Sequence, residues 1–418
     1  MNIIKTDALV IGGGAAGMAA AVEIVERGYK TILIERDNNT GGVLNQCIHN
    51  GFGLHVFKTE LTGPEYANLF QKQMNEKGVE IHSNVFVLNI DNENKSVITV
   101  TSKGMCEYRT KVLIMCTGAR ERPFGNLRIP GDRPAGIYTA GVAQKFVNLM
   151  NILPGNKAFV LGSGDIGLIM ARRLTLEGME VKGVAELMPF PGGLARNIVQ
   201  CLDDFDIPLH LSTSVVNVKG KKRLESITLC EFDKETREPL KNSIRDVEVD
   251  TLILSVGLIP QNELIEELVD IDCVNRGAVV DNYGRTSKEW IFAAGNNVAV
   301  YDLVDFVTLE GKNAGQSAAE YISKGNLPEK YREVLRGENV GVITPVRVCT
   351  EGAPFTFFIR PKKSMDKARV IICDGLKVVT KIAVKPAEMI DITISSELLK
   401  EIRKRGIEKI KIDIEEVK

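Results

Sequence analysis

Two strand–loop–helix–strand units with the same punctuation, starting 150 residues apart, constrain this chain more than any other feature. The first opens with Asp7-Ala-Leu-Val-Ile11, an apolar run that reads as a buried parallel strand. It passes into Gly12-Gly13-Gly14-Ala15-Ala16-Gly17, then a helix of small residues over 18–27, a stop at Gly28 and a second strand, Thr31-Ile-Leu-Ile-Glu35. Each glycine has its own physical task. Gly12 permits the tight turn, Gly14 lets a diphosphate approach the backbone, and Gly17 allows close helix–strand packing. The free N–H groups and the positive end of the helix then favour an anion. Glu35 ends the second strand 23 positions beyond Gly12, where an acid meets ribose hydroxyls.

The second unit repeats this grammar. Ala158-Phe-Val-Leu161 leads to Gly162-Ser163-Gly164-Asp165-Ile166-Gly167, a helix to Glu177, Gly178 and a strand over 181–185. Glu186 closes it 24 positions after Gly162. An acid there accepts from a ribose 2′-hydroxyl and repels a 2′-phosphate, which favours NAD(H) over NADP(H). No arginine occupies 187–190, although Arg196 keeps NADP(H) open.

The 418 residues predict two or three domains. With 53 basic and 54 acidic residues, the net charge of −1 argues against a nucleic-acid partner. No apolar run is long enough for an integral membrane segment, and a cytoplasmic location is expected. The eight cysteines are scattered without a CxxC pair, which predicts reduced thiols and no metal site.

Three more stretches take up fixed places around the loops. Alternating runs over 84–102, containing Phe86 and Val87, predict a β-meander. Strands then close on Thr117-Gly118, on Val256-Gly257 and on Gly295-Asn296. In this order the chain, over residues 5–325, resembles the two-dinucleotide, glutathione-reductase-like FAD/NAD(P) oxidoreductases. The resemblance implies an α/β fold with two Rossmann-like domains: a discontinuous FAD domain over 1–120 and 282–326, and an NAD(H) domain over 121–281. It places FAD against Gly12, Gly14, Ala15, Ala16, Gly17, Glu35, Arg36, Gly42, Val43, Leu44, Asn45, Phe86, Val87, Thr117, Gly118, Gly295 and Asn296. It places NAD(H) against Gly162, Gly164, Asp165, Ile166, Gly167, Glu186, Val256 and Gly257. The family's aspartate for a flavin ribityl hydroxyl is Asn296 here, an amide that can still donate and accept. The next helix, expected near residue 308, would aim its positive end at the flavin.

The disulfide-reductase branch carries two redox cysteines shortly after the Gly-Gly that follows the ribose-binding acid. Those positions are Leu44 and His49 here, so a dithiol relay is not expected. Cys47 and His49 still lie on the segment that the resemblance turns toward the flavin. His49 could donate a proton there, and Cys47 could act as a peroxide-reducing or redox-sensing thiol. A packed thiol and a hydrogen-bonded imidazole explain the same residues without catalysis. The segment, with Arg120-Glu-Arg-Pro123 and Ile129-Pro-Gly131, resembles NAD/FAD-dependent subunits related to opine oxidase, hydrogen cyanide synthase and dye-linked proline dehydrogenase. Within that group it is most similar to proteins encoded beside a glycerol-3-phosphate-dehydrogenase-like flavoprotein. That resemblance implies partner dehydrogenase subunits, with a small-molecule substrate oxidised on the partner. A self-contained NADH oxidase using Cys47, and a structural subunit that contains FAD, are the alternatives. Residues 327–418 predict a β-rich C-terminal domain, with strands at 340–348, 355–359, 369–373, 378–384 and 390–394, a helix from Ser396 and a last strand at 407–414.

Overall fold

The computed structural model describes residues 2–417. The chain divides into two compact units, one running to Ala119 and resuming at Ile259, the other spanning Arg120–Leu258. The architecture is α/β, with parallel sheets and an added β-rich C-terminal part.

In the first unit a five-stranded parallel sheet has the order Ile291–Ala293, Val112–Met115, Ala8–Ile11, Thr31–Ile34, Glu80–His82. Its three longer runs, Ala8–Ile11, Thr31–Ile34 and Val112–Met115, are buried throughout because helices or strands cover both faces. Ile11 lies level with both Ile34 and Met115, and Met115 with Ala293. Gly12, Glu35, Cys116 and Ala294 therefore emerge along one carboxyl edge, where open α/β sheets bind ligands.

Two helices pack together through small residues against this sheet. Ala15–Val25 begins directly at the loop, and Val304–Lys324 crosses it. A Cβ on Gly311 would run into the carbonyl of Ala16, and one on Gly315 would lie 2.6 Å from that of Ala20. The second helix starts at Val304, a full turn before the expected residue 308. Leu303 supplies the extended N-cap, and Asp305 enters the first turn. The meander over 86–101 gains a third strand, Gly104–Arg109, and pairs through it with Asn2–Lys5.

The C-terminal part of the same unit has its own apolar core, built from two sheets. Its strands include Tyr331–Arg336, which sequence pattern missed because it alternates weakly. The single run expected at 340–348 is two strands, Val340–Thr344 and Arg347–Cys349, separated at Pro345.

The second unit, taken by itself, contains a parallel sheet in the order Ile137–Thr139, Thr251–Leu254, Lys157–Leu161, Glu180–Ala185, Leu209–His210. A three-stranded antiparallel sheet, Thr213–Lys219, Ser226–Phe232 and Pro239–Glu248, accompanies it.

Candidate functional site

The two glycine loops are built alike in atomic detail. In the first, the Gly13 N–H donates to Glu35 Oε2 at 2.7 Å and the Asp37 N–H donates to Oε1 at 2.9 Å. In the second, the Ser163 N–H donates to Glu186 Oε2 at 3.0 Å and the Met188 N–H to Oε1 at 2.8 Å. Each carboxylate is thereby fixed by the second residue of its loop, with lone pairs left to accept from a ribose.

The glycines separate into those the chain itself requires and those it does not. A Cβ on Gly12 would strike the Cys116 carbonyl, and one on Gly17 would strike the carbonyl of Gly12. Gly162 meets Ser255 O in the same way, and Gly167 meets the Ser255 side chain. A Cβ on Gly14, by contrast, would touch nothing within 4 Å, nor would one on Gly118 or Gly257. Gly14 is thus a cradle that its own protein leaves open, at the helix N-terminus where a diphosphate fits. On that test the first loop fits the diphosphate of a dinucleotide. Gly164 leaves less room, with Ser255 Oγ at 3.3 Å from its ideal Cβ.

The segment after each acid returns over its loop. Gly41 donates to Gly13 O at 2.7 Å, and Gly42 lies over Gly14. Asn45 Nδ2 donates to Thr40 O at 3.0 Å; Leu44 is buried while Val43 is 60% exposed. In the second unit Gly192 donates to Ser163 Oγ at 2.7 Å, and Ser163 Oγ donates to Glu186 at 2.6 Å. The partly exposed Asp165 is held by the segment after the acid: its carboxylate accepts from Leu194 N–H at 2.8 Å and Asn197 Nδ2 at 2.7 Å. Sequence reasoning missed Ser163. The signal was available: a Gly-Gly stands six positions after the acid in both units, at Gly41-Gly42 and Gly192-Gly193.

The remaining positions fall as follows. Ala15 and Ala16 are buried in the first turn of the helix. Arg36 is exposed beside Glu35; Phe86 is exposed and Val87 buried on the meander. Thr117 spends its hydroxyl on Gln261 O at 2.6 Å, beside Gly118. Gly295 packs on Ala16, and Asn296 Oδ1 accepts from the Tyr301 N–H at 3.1 Å. Ile166 packs at the edge of the second unit's core, and Val256 lies beside Gly257.

Cys47 and His49 lie on the turn that follows the first Gly-Gly. Cys47 is half-buried, and its carbonyl accepts from Gly63 N–H at 2.9 Å at the start of the Gly63–Lys77 helix. His49 contacts the Asn50 carbonyl at 3.0 Å and leans on the Phe52 ring at 5.0 Å. The loop beyond is anchored by a residue that carried no role in the sequence. Asp305 accepts from the His55 and Val56 N–H groups at 3.3 and 3.2 Å and from Tyr66 Oη at 3.4 Å. Among the described residues all eight cysteines are free, and no helix is long and apolar enough to cross a membrane.

Two acid-clamped glycine loops on parallel sheets define a two-dinucleotide oxidoreductase. The chain belongs to the family Pyridine nucleotide-disulphide oxidoreductase, which it matches over residues 6–318, and it is an FAD- and NAD(P)-dependent oxidoreductase. It is similar to the HcnB component of hydrogen cyanide synthase from Pseudomonas aeruginosa, 26% identical over 281 residues, covering 62% of this chain and 58% of that protein. It is also similar to an opine oxidase subunit from Agrobacterium tumefaciens, 24% identical over 317 residues, covering 70% of this chain and 61% of that protein. The chain thus spans about three-fifths of the length of these relatives. The crystal structure of T. acidophilum thioredoxin reductase shares the fold, with a TM-score of 0.61 at 24% identity over 76% of this chain and 98% of that one.

Proposed function

We propose that this chain exchanges hydride between NAD(H) and FAD as one subunit of a multi-subunit dehydrogenase. The observation that carries this reading is the pairing of two acid-clamped loops with Leu44 and His49 at the positions of a redox dithiol. Both dinucleotides have a seat, and no second thiol stands beside Cys47 in sequence to receive their electrons. Bound FAD would supply the hydride and electron chemistry.

The chain's residues do the holding. Gly14 and the Ala15–Val25 helix bind the diphosphate, Glu35 binds the ribose, and Asn296 binds the ribityl chain. Glu186 accepts from the 2′-hydroxyl of NAD(H), and its charge disfavours a 2′-phosphate. The electrons then leave to a partner subunit that oxidises a small hydroxy or amino acid, or glycerol 3-phosphate. Two relatives being subunits by name supports such a partner. The scattered thiols support a cytoplasmic setting.

Anaerobic titration with NADH tests the reading. Flavin absorbance near roughly 450 nm is expected to bleach with NADH and far less with NADPH, and Cys47→Ser is expected to bleach equally. A flavin that NADH leaves oxidised overturns the proposal. Fast turnover of NADH with peroxide that Cys47→Ser abolishes would favour a self-contained reductase instead.

A further inference from the structure

The acids that close the two glycine units share their backbone clamps, yet they differ in how much of each carboxylate stays open. A carboxylate offers about four lone-pair sites, two on each oxygen. Glu35 spends one on Oε2 for the Gly13 N–H at 2.7 Å and one on Oε1 for the Asp37 N–H at 2.9 Å. One site remains on each oxygen. Glu186 accepts the equivalent pair, from the Ser163 N–H on Oε2 at 3.0 Å and the Met188 N–H on Oε1 at 2.8 Å. Its Oε2 also accepts from the Ser163 hydroxyl at 2.6 Å. That oxygen is then full, and only Oε1 has a site left to give.

The difference arises from which residue fills the space beside the second position of the loop. At Gly13 there is no room for a side chain, since an ideal Cβ would lie 2.8 Å from the Thr40 methyl and 3.1 Å from Glu35 Oε2. Thr40, directly before Gly41-Gly42, is buried there. In the second unit the residue before Gly192-Gly193 is Pro191, and the filling side chain comes from the loop itself. Ser163 is fully buried. Its hydroxyl donates to Glu186 and accepts from the Gly192 N–H at 2.7 Å. A turn about its Cα–Cβ bond would break both bonds at once, so each holds the other in place.

We propose that Ser163 is a positioning residue that sets how the second site reads a ribose. By filling Oε2 of Glu186 it leaves recognition to one adenosine ribose hydroxyl on Oε1, where Glu35 can take two. This rests on Glu186 being the ribose acid for NAD(H), with the 2′-hydroxyl as its donor. Hydrogen bonds to a charged acceptor are among the stronger ones. One such bond suits a nucleotide that must leave after each turnover, and two suit a resident cofactor. The Ser163–Gly192 bond also ties the Gly-Gly return to the acid before a nucleotide arrives, which lowers the ordering cost of binding.

The test measures binding and not turnover. NAD⁺ and its analogues lacking the 2′- or the 3′-hydroxyl of the adenosine ribose are titrated calorimetrically into the FAD-loaded protein, with the flavin oxidised so that no hydride moves. In wild type the 2′-deoxy analogue is expected to bind at least about tenfold more weakly than NAD⁺, and the 3′-deoxy analogue within about twofold of it. Ser163→Ala frees a site on Oε2, so its 3′-deoxy analogue is expected to bind at least about threefold more weakly than NAD⁺. Ser163→Gly, which installs the residue of the first loop, is expected to show the same change and stands in if the alanine variant fails to fold. A merely structural loosening would weaken all three ligands alike, so unchanged ratios in the variants overturn the inference. A wild type that loses about tenfold with both analogues also overturns it, while leaving Glu186 as the ribose acid. Loss with the 3′-deoxy analogue alone would support the single-hydroxyl count and move Glu186 off the 2′ position. Full affinity for both analogues would sink the inference together with the assignment of Glu186 to the ribose.

Discussion

At the scale of single residues, Glu35 and Glu186, each at the end of the second strand of its glycine unit, are clamped by the same backbone bonds. In the proposed reading, Glu186 is the one whose charge would discriminate between nucleotides. In Glu186→Gln the side chain can still accept from the Ser163 N–H, but nothing repels a 2′-phosphate. The ratio of NADPH to NADH dissociation constants, read by titration, is expected to fall at least about tenfold, or ~1.4 kcal/mol; an unchanged ratio would remove Glu186 from nucleotide selection. Glu310 gives a prediction about stability. Burial pushes its carboxyl up to about 7 from the ordinary 4.5, so the folded state holds the extra proton between those limits. Stability from this group is therefore complete below about pH 4.5 and is lost as pH rises through 7. Glu310→Gln is expected to be more stable than wild type at pH 8, by up to about 3 kcal/mol, and nearly level with it at pH 5. Denaturant melts at the two pH values check the sign. Glu35 and Glu186 were legible in the sequence because a strand end and a glycine spacing locate them. Ser163 and Asp305 were not, since their partners lie 23 to 250 residues away.

Elements were legible where their period is clean. The short buried strands and both loop helices follow from apolar runs between glycines. The strand Tyr331–Arg336 escaped because only Val334 in it is buried, so no alternation marks it. The start of the Val304–Lys324 helix was misplaced because its first turn, Val304-Asp-Phe-Val, reads equally well as a strand. The glycine motif divides its residues between fold and ligand, and a methyl added at each position tests that division. Gly17 lies under the Gly12 carbonyl, so Gly17→Ala forces the helix away from its strand. That variant is expected to lose about 1–3 kcal/mol or more, as overpacked sites do, whether or not FAD is present. Gly14→Ala has free space around the new methyl and an ordinary backbone conformation, φ −76°. Its apoprotein is expected to melt like wild type while its FAD affinity drops. Calorimetry of apo and FAD-loaded forms separates the two; a Gly14→Ala protein that keeps full FAD affinity would refute the cradle.

Within the larger unit, the C-terminal part is joined to the sheet part by polar contacts arranged around one buried ion pair. Arg285 and Asp281 are 6% and 4% exposed and meet at 2.9 Å. The same guanidinium reaches the Pro328 carbonyl at 2.6 Å and that of Leu327 at 3.4 Å, where the chain leaves its long helix for the C-terminal strands. Asn282, next to Asp281, accepts from the Cys349 N–H and donates to its carbonyl. Two further ion pairs, Arg347–Asp270 and Arg336–Asp272, add to the same seam. Burial pushes the Asp281 carboxyl up, and Arg285 pulls it back without cancelling the rise. An ion pair so enclosed is costly to break from one side, because the remaining charge has no water to receive it. Arg285→Ala is expected to cost about 3–5 kcal/mol and to open the connection after Lys324 to protease. Arg285→Lys is expected to rescue it poorly, since a point charge cannot serve Asp281 and two carbonyls in one plane. Asp281→Asn combined with Arg285→Met removes both charges and is expected to recover most of the loss. Limited proteolysis read by mass, alongside denaturant melts, decides it. Cleavage near residues 325–330 in Arg285→Ala but not in the double variant would identify the buried pair as the clasp, and equal resistance in all three would show that the apolar contacts of Phe306, Phe358 and Met389 hold the seam unaided.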